Sequence, residues 1–227
     1  YAKNGIDGIT KAIDEVPYIV ICDVMIPEKD GLAVTQNLKS DFRTSHIPVI
    51  MLTARSDEEQ VLEGIQSGAD LYITKPFSFN HLYESIKTLL KNREMMKTHY
   101  AGVESEYKED KPGEVDIDKK FISRFKAIVD DHLGDPQFGV NELCEQIGFS
   151  RVQLYRKVKA VLGCSINDYI NEGRLKKAGK LLAGTDMNIS EVAYETGFSS
   201  PTYFSTAFKN YYNISPSEFK ADKRKLI

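Results

Sequence analysis

Three short runs rich in apolar residues, each closed by a polar side chain, constrain the fold of this chain most. Residues 18–22 run Tyr-Ile-Val-Ile-Cys into Asp23. Residues 48–52 run Pro-Val-Ile-Met-Leu into Thr53. Residues 70–74 run Asp-Leu-Tyr-Ile-Thr into Lys75. Such runs are too short for helices and read as buried strands. Helical patterns flank them: residues 4–15, 31–40, 57–67 stopping at Gly68, and 78–90 with Leu82, Ile86 and Leu89 on one face. A glycine after the last periodic residue is a natural helix stop. Apolar strands alternating with helices imply a parallel sheet covered on both faces. Residues 1–92 are therefore expected to form part of a doubly wound α/β fold, with the pattern opening partway through it.

In such a sheet, ligands bind beyond the carboxyl ends of the strands. Asp23, Thr53 and Lys75 should meet there. A carboxylate nucleophile, a hydroxyl donor and an ammonium together suit a phosphoryl group. Met25-Ile26-Pro27 and Asp30-Gly31 would form a rigid loop beside Asp23. Proline disfavours helix at the residue before it, so Lys75-Pro76 fixes the chain locally.

The rest of the chain changes character. Residues 93–119 are polar and charged around Ser105-Glu106-Tyr107-Lys108-Glu109-Asp110-Lys111-Pro112-Gly113, as expected of a linker, with 93–100 prolonging the preceding helix. Beyond it every pattern is helical: residues 121–133, one long helix over 166–182, and an internal repeat. Residues 141–150 (Asn-Glu-Leu-Cys-Glu-Gln-Ile-Gly-Phe-Ser) recur at 190–199 (Ser-Glu-Val-Ala-Tyr-Glu-Thr-Gly-Phe-Ser), an offset of 49. After the turn the apolar positions recur at 50: Leu154 with Phe204, Val158 with Phe208, Val161 with Tyr211. In each copy the glycine permits a left-handed turn, the phenylalanine packs inward and the serine can cap the next helix. That is a helix-turn-helix pattern, twice.

Charge divides the chain in the same way. Residues 1–119 carry 14 Lys and Arg against 21 Asp and Glu, and residues 120–227 carry 16 against 12, so the halves stand at −7 and +4. An acidic half followed by a basic half suggests different partners, nucleic acid for the second. Arg151, Arg156, Lys157 and Lys159 fall in a stretch with no acid from 146 to 167, suiting a phosphate-lined major groove. Arg156 lies mid-helix, where bidentate contact with guanine is feasible. Three widely spaced cysteines without a C-x-x-C pair argue against a disulfide scaffold or zinc site and for a reducing compartment. The four scattered histidines show no ligand spacing. No apolar run approaches the ~18 residues of a membrane span.

The motif Ile21-Cys22-Asp23-Val24-Met25-Ile26-Pro27-x-x-Asp30-Gly31, then Met51-Leu52-Thr53-Ala54, then Ile73-Thr74-Lys75-Pro76-Phe77, resembles the response-regulator receiver domain of two-component signalling. The resemblance covers residues 1–92 and implies a flavodoxin-like sheet. It implies Asp23 as phosphoacceptor, Thr53 and Tyr72 as switch residues and Lys75 as the phosphate-sensing lysine. Asp23 and Met25 match its metal-site positions. A receiver has five strands, and the first ends in an acidic pair that holds Mg²⁺ with the acceptor. Three strands are visible from Tyr1 onward and no such pair, so Mg²⁺ is expected only if that pair lies upstream. Aspartyl phosphotransferases of the haloacid-dehalogenase type resemble this topology too. They carry a second Asp two residues after the nucleophile; here that position is Met25, so turnover of external substrates is not expected.

The second half resembles the AraC-type DNA-binding domain over residues 120–222. The resemblance rests on the two units, the long helix between them, and Ser190-Glu191-Val192-Ala193-Tyr194-Glu195-Thr196-Gly197-Phe198, Ser199-Ser200-Pro201-Thr202-Tyr203-Phe204-Ser205, Phe208-Lys209 and Ser215-Pro216-Ser217-Glu218-Phe219. It implies base-reading positions at Val152, Tyr155 and Arg156 in the first unit and at Pro201, Thr202, Ser205 and Thr206 in the second. Thr206 stands where a basic side chain is frequent, so the second set should specify weakly while Lys209 anchors phosphate. Residues 223–227 are expected to be a basic tail.

The expected protein is a cytoplasmic transcription regulator, phosphorylated at Asp23 by a histidine kinase, binding double-stranded DNA as a homodimer, with no small-molecule substrate. Two alternatives remain. The receiver–AraC order also looks like the cytoplasmic part of inner-membrane hybrid sensors that fuse a histidine kinase to its own regulator. A receiver that is never phosphorylated could serve only for dimerisation.

Overall fold

The structure, a computed structural model, describes residues 1–54, 67–101 and 117–224. They form two compact units: residues 1–122 with 152–163, and residues 123–151 with those from 164 onward. In order, the elements are α1 (Gly5–Glu15), β1 (Val20–Asp23), α2 (Gly31–Ser40), β2 (Val49–Thr53), β3 (Leu71–Thr74) and α3 (Phe79–Ala101). Then come α4 (Ile117–Asp131), α5 (Val140–Ile147), α6 (Arg151–Leu162), α7 (Ile166–Gly184), α8 (Ile189–Glu195), α9 (Pro201–Tyr212) and α10 (Pro216–Arg224).

In the first unit the strands form a parallel sheet in the order β1-β2-β3, with Asp23 opposite Leu52 and Thr53 opposite Thr74. The most continuously apolar strand takes the centre: Val49, Ile50 and Met51 are fully buried. Val49 and Met51 pack with Ala12, Cys22, Val34 and Leu38 from α1, β1 and α2. Asn4 and Asp30 start α1 and α2, their side chains accepting from the amides of Asp7 and Ala33 at 2.8 and 2.7 Å. Such caps satisfy amides that a helix start otherwise leaves unpaired. A half-buried ion pair, Lys39 to Asp70 at 2.6 Å, ties α2 to the sheet, and the same carboxylate accepts the Val49 amide at 2.8 Å.

Two expectations shift. β1 begins at Val20, not residue 18, and leaves Tyr18 exposed ahead of it; Ile21, within the strand, is exposed as well. Pro17 is the reason for the later start. It has no N–H for a ladder, and it ends α1 at Val16, which takes a left-handed conformation (φ 43°). The helix expected at 57–67 lies mostly outside the described residues; its end is seen, with Ser67 helical and Gly68 at φ 84°. The linker expected at 93–119 lies outside them over 102–116; residues 93–101 prolong α3 as expected, and α4 starts at Ile117.

In the second unit α7 is the central helix. Leu175, Ala178 and Leu182 pack against Val192, Ala193, Phe198, Phe204 and Phe208. The rings run in a chain, Phe198 to Phe204 to Phe208 to Phe219, with centroids 5.2, 5.5 and 5.3 Å apart. Gly197 closes α8 at φ 76°, and a Cβ there would lie 2.5 Å from the Leu133 carbonyl oxygen, so only glycine fits. Buried Arg174 lies against the same turn and donates to the Asp135 oxygen at 2.7 Å.

The serine expected to cap the second unit's later helix is displaced. Ser200, not Ser199, caps α9, accepting from the Tyr203 amide at 3.3 Å, with Pro201 at the first helical position. Proline suits that position and places the cap immediately before it. The second turn is one residue longer, which is why the repeat offset changes from 49 to 50.

Candidate functional site

The sheet brings the strand-end residues together. Asp23 ends β1, Thr53 ends β2 and Lys75 follows β3. Backbone bonds hold the three ends in step: the Val24 amide donates to Leu52 O at 2.9 Å and the Lys75 amide to Thr53 O at 2.7 Å. The Lys75 ammonium pairs with Asp23 Oδ2, and Asp23 Oδ1 accepts the Met25 amide at 3.2 Å. Gly31 makes this possible. A Cβ there would lie 2.3 Å from the Asp23 carbonyl oxygen, so α2 can start beside the end of β1 only with glycine. The Lys75–Pro76 peptide is cis.

The neighbours differ in chemistry. Thr53 is buried. Tyr72 is half-buried with its hydroxyl 3.1 Å from Ser67 Oγ; burial pushes its phenol up, against a lowering by that hydrogen bond. Burial, with the charges of Asp23 and Asp30, pushes the Cys22 thiol up to about 11, so it stays protonated and inert.

The residues present do not by themselves fit Mg²⁺. That ion wants several hard oxygen ligands. Here one carboxylate, Asp23, is already paired with a lysine, Met25 has only its main-chain carbonyl to offer as a hard oxygen, and Asp30 is committed to capping α2. Among the described residues no three His, Cys, Asp or Glu side chains group around a metal position.

The two expected DNA-reading helices differ. On α6, Arg151, Val152, Tyr155 and Lys159 are exposed, with Lys159 donating to Gly163 O at 2.8 Å. Arg156 and Lys157 are engaged within their own unit. The Arg156 guanidinium donates to the Glu15 and Val16 carbonyls and lies 5.4 Å over the Tyr18 ring. Lys157, expected as part of a solvent-facing basic run, is 0% exposed. It pairs with Asp118 and donates to Ser45 Oγ at 2.6 Å. A buried ammonium needs such a counter-charge. For Asp118, burial raises the carboxyl, but the Lys157 charge and the hydrogen bonds from Lys157 and Ser45, with His46, outweigh it and hold it below the ordinary range.

On α9 the outward face is uncharged near its start. Thr202 and Thr206 are exposed, Pro201 and Ser205 half-buried. The Ser205 and Thr206 hydroxyls donate back to the Pro201 and Thr202 carbonyls at 2.9 and 3.2 Å. Lys209 is exposed one turn further on.

Sequence reasoning missed Ser45, Asp118 and Gln153 as partners or members of the α6 cluster, and Arg174 in the second unit. An acid 39 residues from its lysine leaves no local pattern. Arg174 had one available signal, a charge on the inward face of a long helix.

An aspartate at the end of a parallel strand, paired with a lysine and followed in the same chain by two helix-turn-helix patterns, is the arrangement of a response regulator with a DNA-binding region. Comparison with known proteins gives the same class. Residues 1–87 match the response regulator receiver domain and residues 143–222 match a helix-turn-helix domain. The transcriptional regulatory protein AfsQ1 of Streptomyces coelicolor is 31% identical over 180 residues, 78% of this chain and 72% of that protein. Histidine kinase P4 of Formosa agariphila is 37% identical over 222 residues, 96% of this chain but 16% of that protein, so the chain spans about one sixth of that relative. A solved AraC-type transcriptional regulator from Chromobacterium violaceum is 30% identical, covering 46% of this chain and 93% of its own, with a TM-score of 0.44. The chain belongs to the response-regulator family, with a receiver region followed by an AraC-type helix-turn-helix region.

Proposed function

We propose that this chain is a two-component transcription regulator in which phosphorylation of Asp23 controls DNA binding. The observation that carries the reading is the Asp23–Lys75 ion pair across the ends of β1 and β3, with Thr53 ending β2 between them. In phosphotransfer from a kinase phosphohistidine, the P–N bond breaks as a P–O bond forms to an Asp23 oxygen. Lys75 then neutralises the phosphoryl oxygens in place of the carboxylate, and Thr53 donates its hydroxyl to one of them. Mg²⁺ enters only with carboxylates supplied from elsewhere. Met25 has no proton to give a leaving group, which supports phosphate acceptance without turnover of other substrates.

In this reading residues 1–92 receive the signal and residues 120–222 bind double-stranded DNA in the cytoplasm. Arg151, Val152, Tyr155, Arg156, Lys157 and Lys159 act from α6, and Pro201, Thr202, Ser205, Thr206 and Lys209 from α9. Homodimerisation belongs to the same reading; the exposed Phe79 and Tyr83 rings on α3, 6.4 Å apart, offer apolar surface for it. No helix among the described residues is long and apolar enough to cross a membrane.

The test uses the protein at native length in its host, with phosphorylation read as a gel mobility shift and transcription as messenger RNA. Asp23→Asn abolishes the shifted band. Thr53→Ala keeps the band and loses most of the phosphorylation-dependent transcription. A shifted band persisting in Asp23→Asn overturns the assignment of the acceptor, and unchanged transcription in Thr53→Ala overturns the switch role.

A second reading has one observation in its favour, the near-complete match of this chain to part of Histidine kinase P4. There the same module would be the regulator segment of a hybrid kinase. Sequencing upstream of Tyr1 decides between the two.

A further inference from the structure

Three segments of the second unit meet around one buried guanidinium. They are the loop at residues 133–138 that leads into α5, the middle of α7, and the turn at 195–197 that leads from α8 toward α9. Arg174 is the group among them, 9% exposed. Its Nη2 donates to the Asp135 and Phe138 carbonyls at 2.7 and 3.3 Å. The turn meets the same group: a Cβ at Gly197 would lie 2.9 Å from Arg174 Nε and 2.5 Å from Leu133 O. Loop, turn and guanidinium therefore touch with no side chain of the turn between them. Lower on the same contact, a Cβ at Gly134 would lie 3.1 Å from Glu195 O, and Lys177 Nζ donates to that oxygen at 3.3 Å.

The chemistry of this contact is unusual for a core. A guanidinium stays charged, and burial lowers its pKa while the Asp135 charge opposes that. Its hydrogen-bond acceptors are two main-chain oxygens rather than a carboxylate, and its Nε has no hydrogen-bond partner among the described residues. A buried charge held in this way is weak support for stability. What a planar fork does supply is direction. It bonds the loop from a fixed angle while its Nε lies against the turn, whereas a flexible apolar side chain would fill the same space without fixing either.

We propose that Arg174 is a positioning residue for DNA binding: it locks the entry to α5 against the entry to α9, and so sets the spacing of the two DNA half-sites that the helix-turn-helix units occupy. The inference rests on the reading of both units as DNA contacts. α7 joins the units along the chain, and Arg174, with Lys177 beside it, fixes how the second turn leaves that helix. Discrimination between spacings then resides in a side chain too buried to touch DNA.

The test uses the whole chain and a fluorescein-labelled duplex selected in vitro from a random pool. The comparison is the same duplex with two base pairs inserted between the halves of its hydroxyl-radical footprint, which turns one half-site by about 70° around the axis. Anisotropy gives the ratio of the two affinities, at a temperature where circular dichroism shows each variant folded. Lost stability or a lost positive charge lowers both affinities and leaves the ratio alone. The parent should bind the inserted duplex about thirtyfold more weakly, as expected when one half-site is lost. Arg174→Met should narrow that ratio to about threefold, chiefly by weaker binding to the selected spacing. The parent's ratio in a folded Arg174→Met overturns the proposal. Should Arg174→Met not fold, Lys177→Gln at the half-buried edge of the contact decides: a ratio of about tenfold supports the proposal, and the parent's ratio overturns it. A parent that binds both duplexes equally overturns the reading of two units on one duplex, and the proposal falls with it.

Discussion

Helices α6 and α9 are two copies of one sequence pattern, and they agree inside and differ outside. Leu154 and Phe204, at matching positions, are both fully buried, as are Val158 and Phe208. On the outward faces α6 carries Arg156 and Lys157, held by partners, while α9 carries Thr202 and Thr206, solvent-exposed. A repeat conserves what a core requires and leaves the reading surface free to diverge. One copy can then read bases while the other anchors, and one monomer would read an asymmetric site. If each helix enters a major groove on one face of the duplex, the half-sites should lie about one helical turn, ~10 bp, apart.

The largest effect that could break this comparison lies inside. Phe204→Ala should cost about 3–5 kcal/mol and Leu154→Ala about 2–5 kcal/mol, because each deletes a fully buried side chain. Urea denaturation followed by circular dichroism measures both. A cost below 1 kcal/mol at either position would mean that the two copies are not equivalent in their cores.

A middle-sized effect sharpens the difference in charge. Lys209→Ala removes a presumed phosphate contact and should weaken binding to selected and random duplexes alike. The slope of log affinity against log salt should flatten by about one unit. A loss confined to the selected duplex would make Lys209 a base reader and α9 more like α6 than proposed here.

The smallest effect is a pH dependence confined to the α6 side. The Asp118 carboxyl is held below its ordinary value, so its pairing with Lys157 stabilises fully above the unfolded-state value of about 4 and fades as pH falls through the lower folded value. Wild type should therefore outlast Asp118→Asn in urea at pH 7, with the gap narrowing toward pH 3. A gap independent of pH would show that the carboxylate's charge is not what matters.

What the sequence made legible follows the range of each interaction. Asp23, Thr53 and Lys75 could be placed because strand ends are local features and a parallel sheet aligns them. The left-handed glycines at 148 and 197 were legible for the same reason. The start of β1 was misplaced by two residues because apolar periodicity outweighed Pro17. The cap of α9 was misplaced by one because the repeat hid an inserted residue. Lys157 was read as solvent-facing because its partners, Ser45 and Asp118, lie 112 and 39 residues away and only folding reveals them.

The measurement that bears most directly on a base-reading helix paired with a phosphate-anchoring one is the binding of Arg156→Ala to selected and random duplexes at one salt concentration. Losing a bidentate base contact costs about 1–3 kcal/mol. The account predicts that loss on the selected duplex and nearly none on random DNA. An equal loss on both would make Arg156 a phosphate anchor and contradict the division of labour between the two helices.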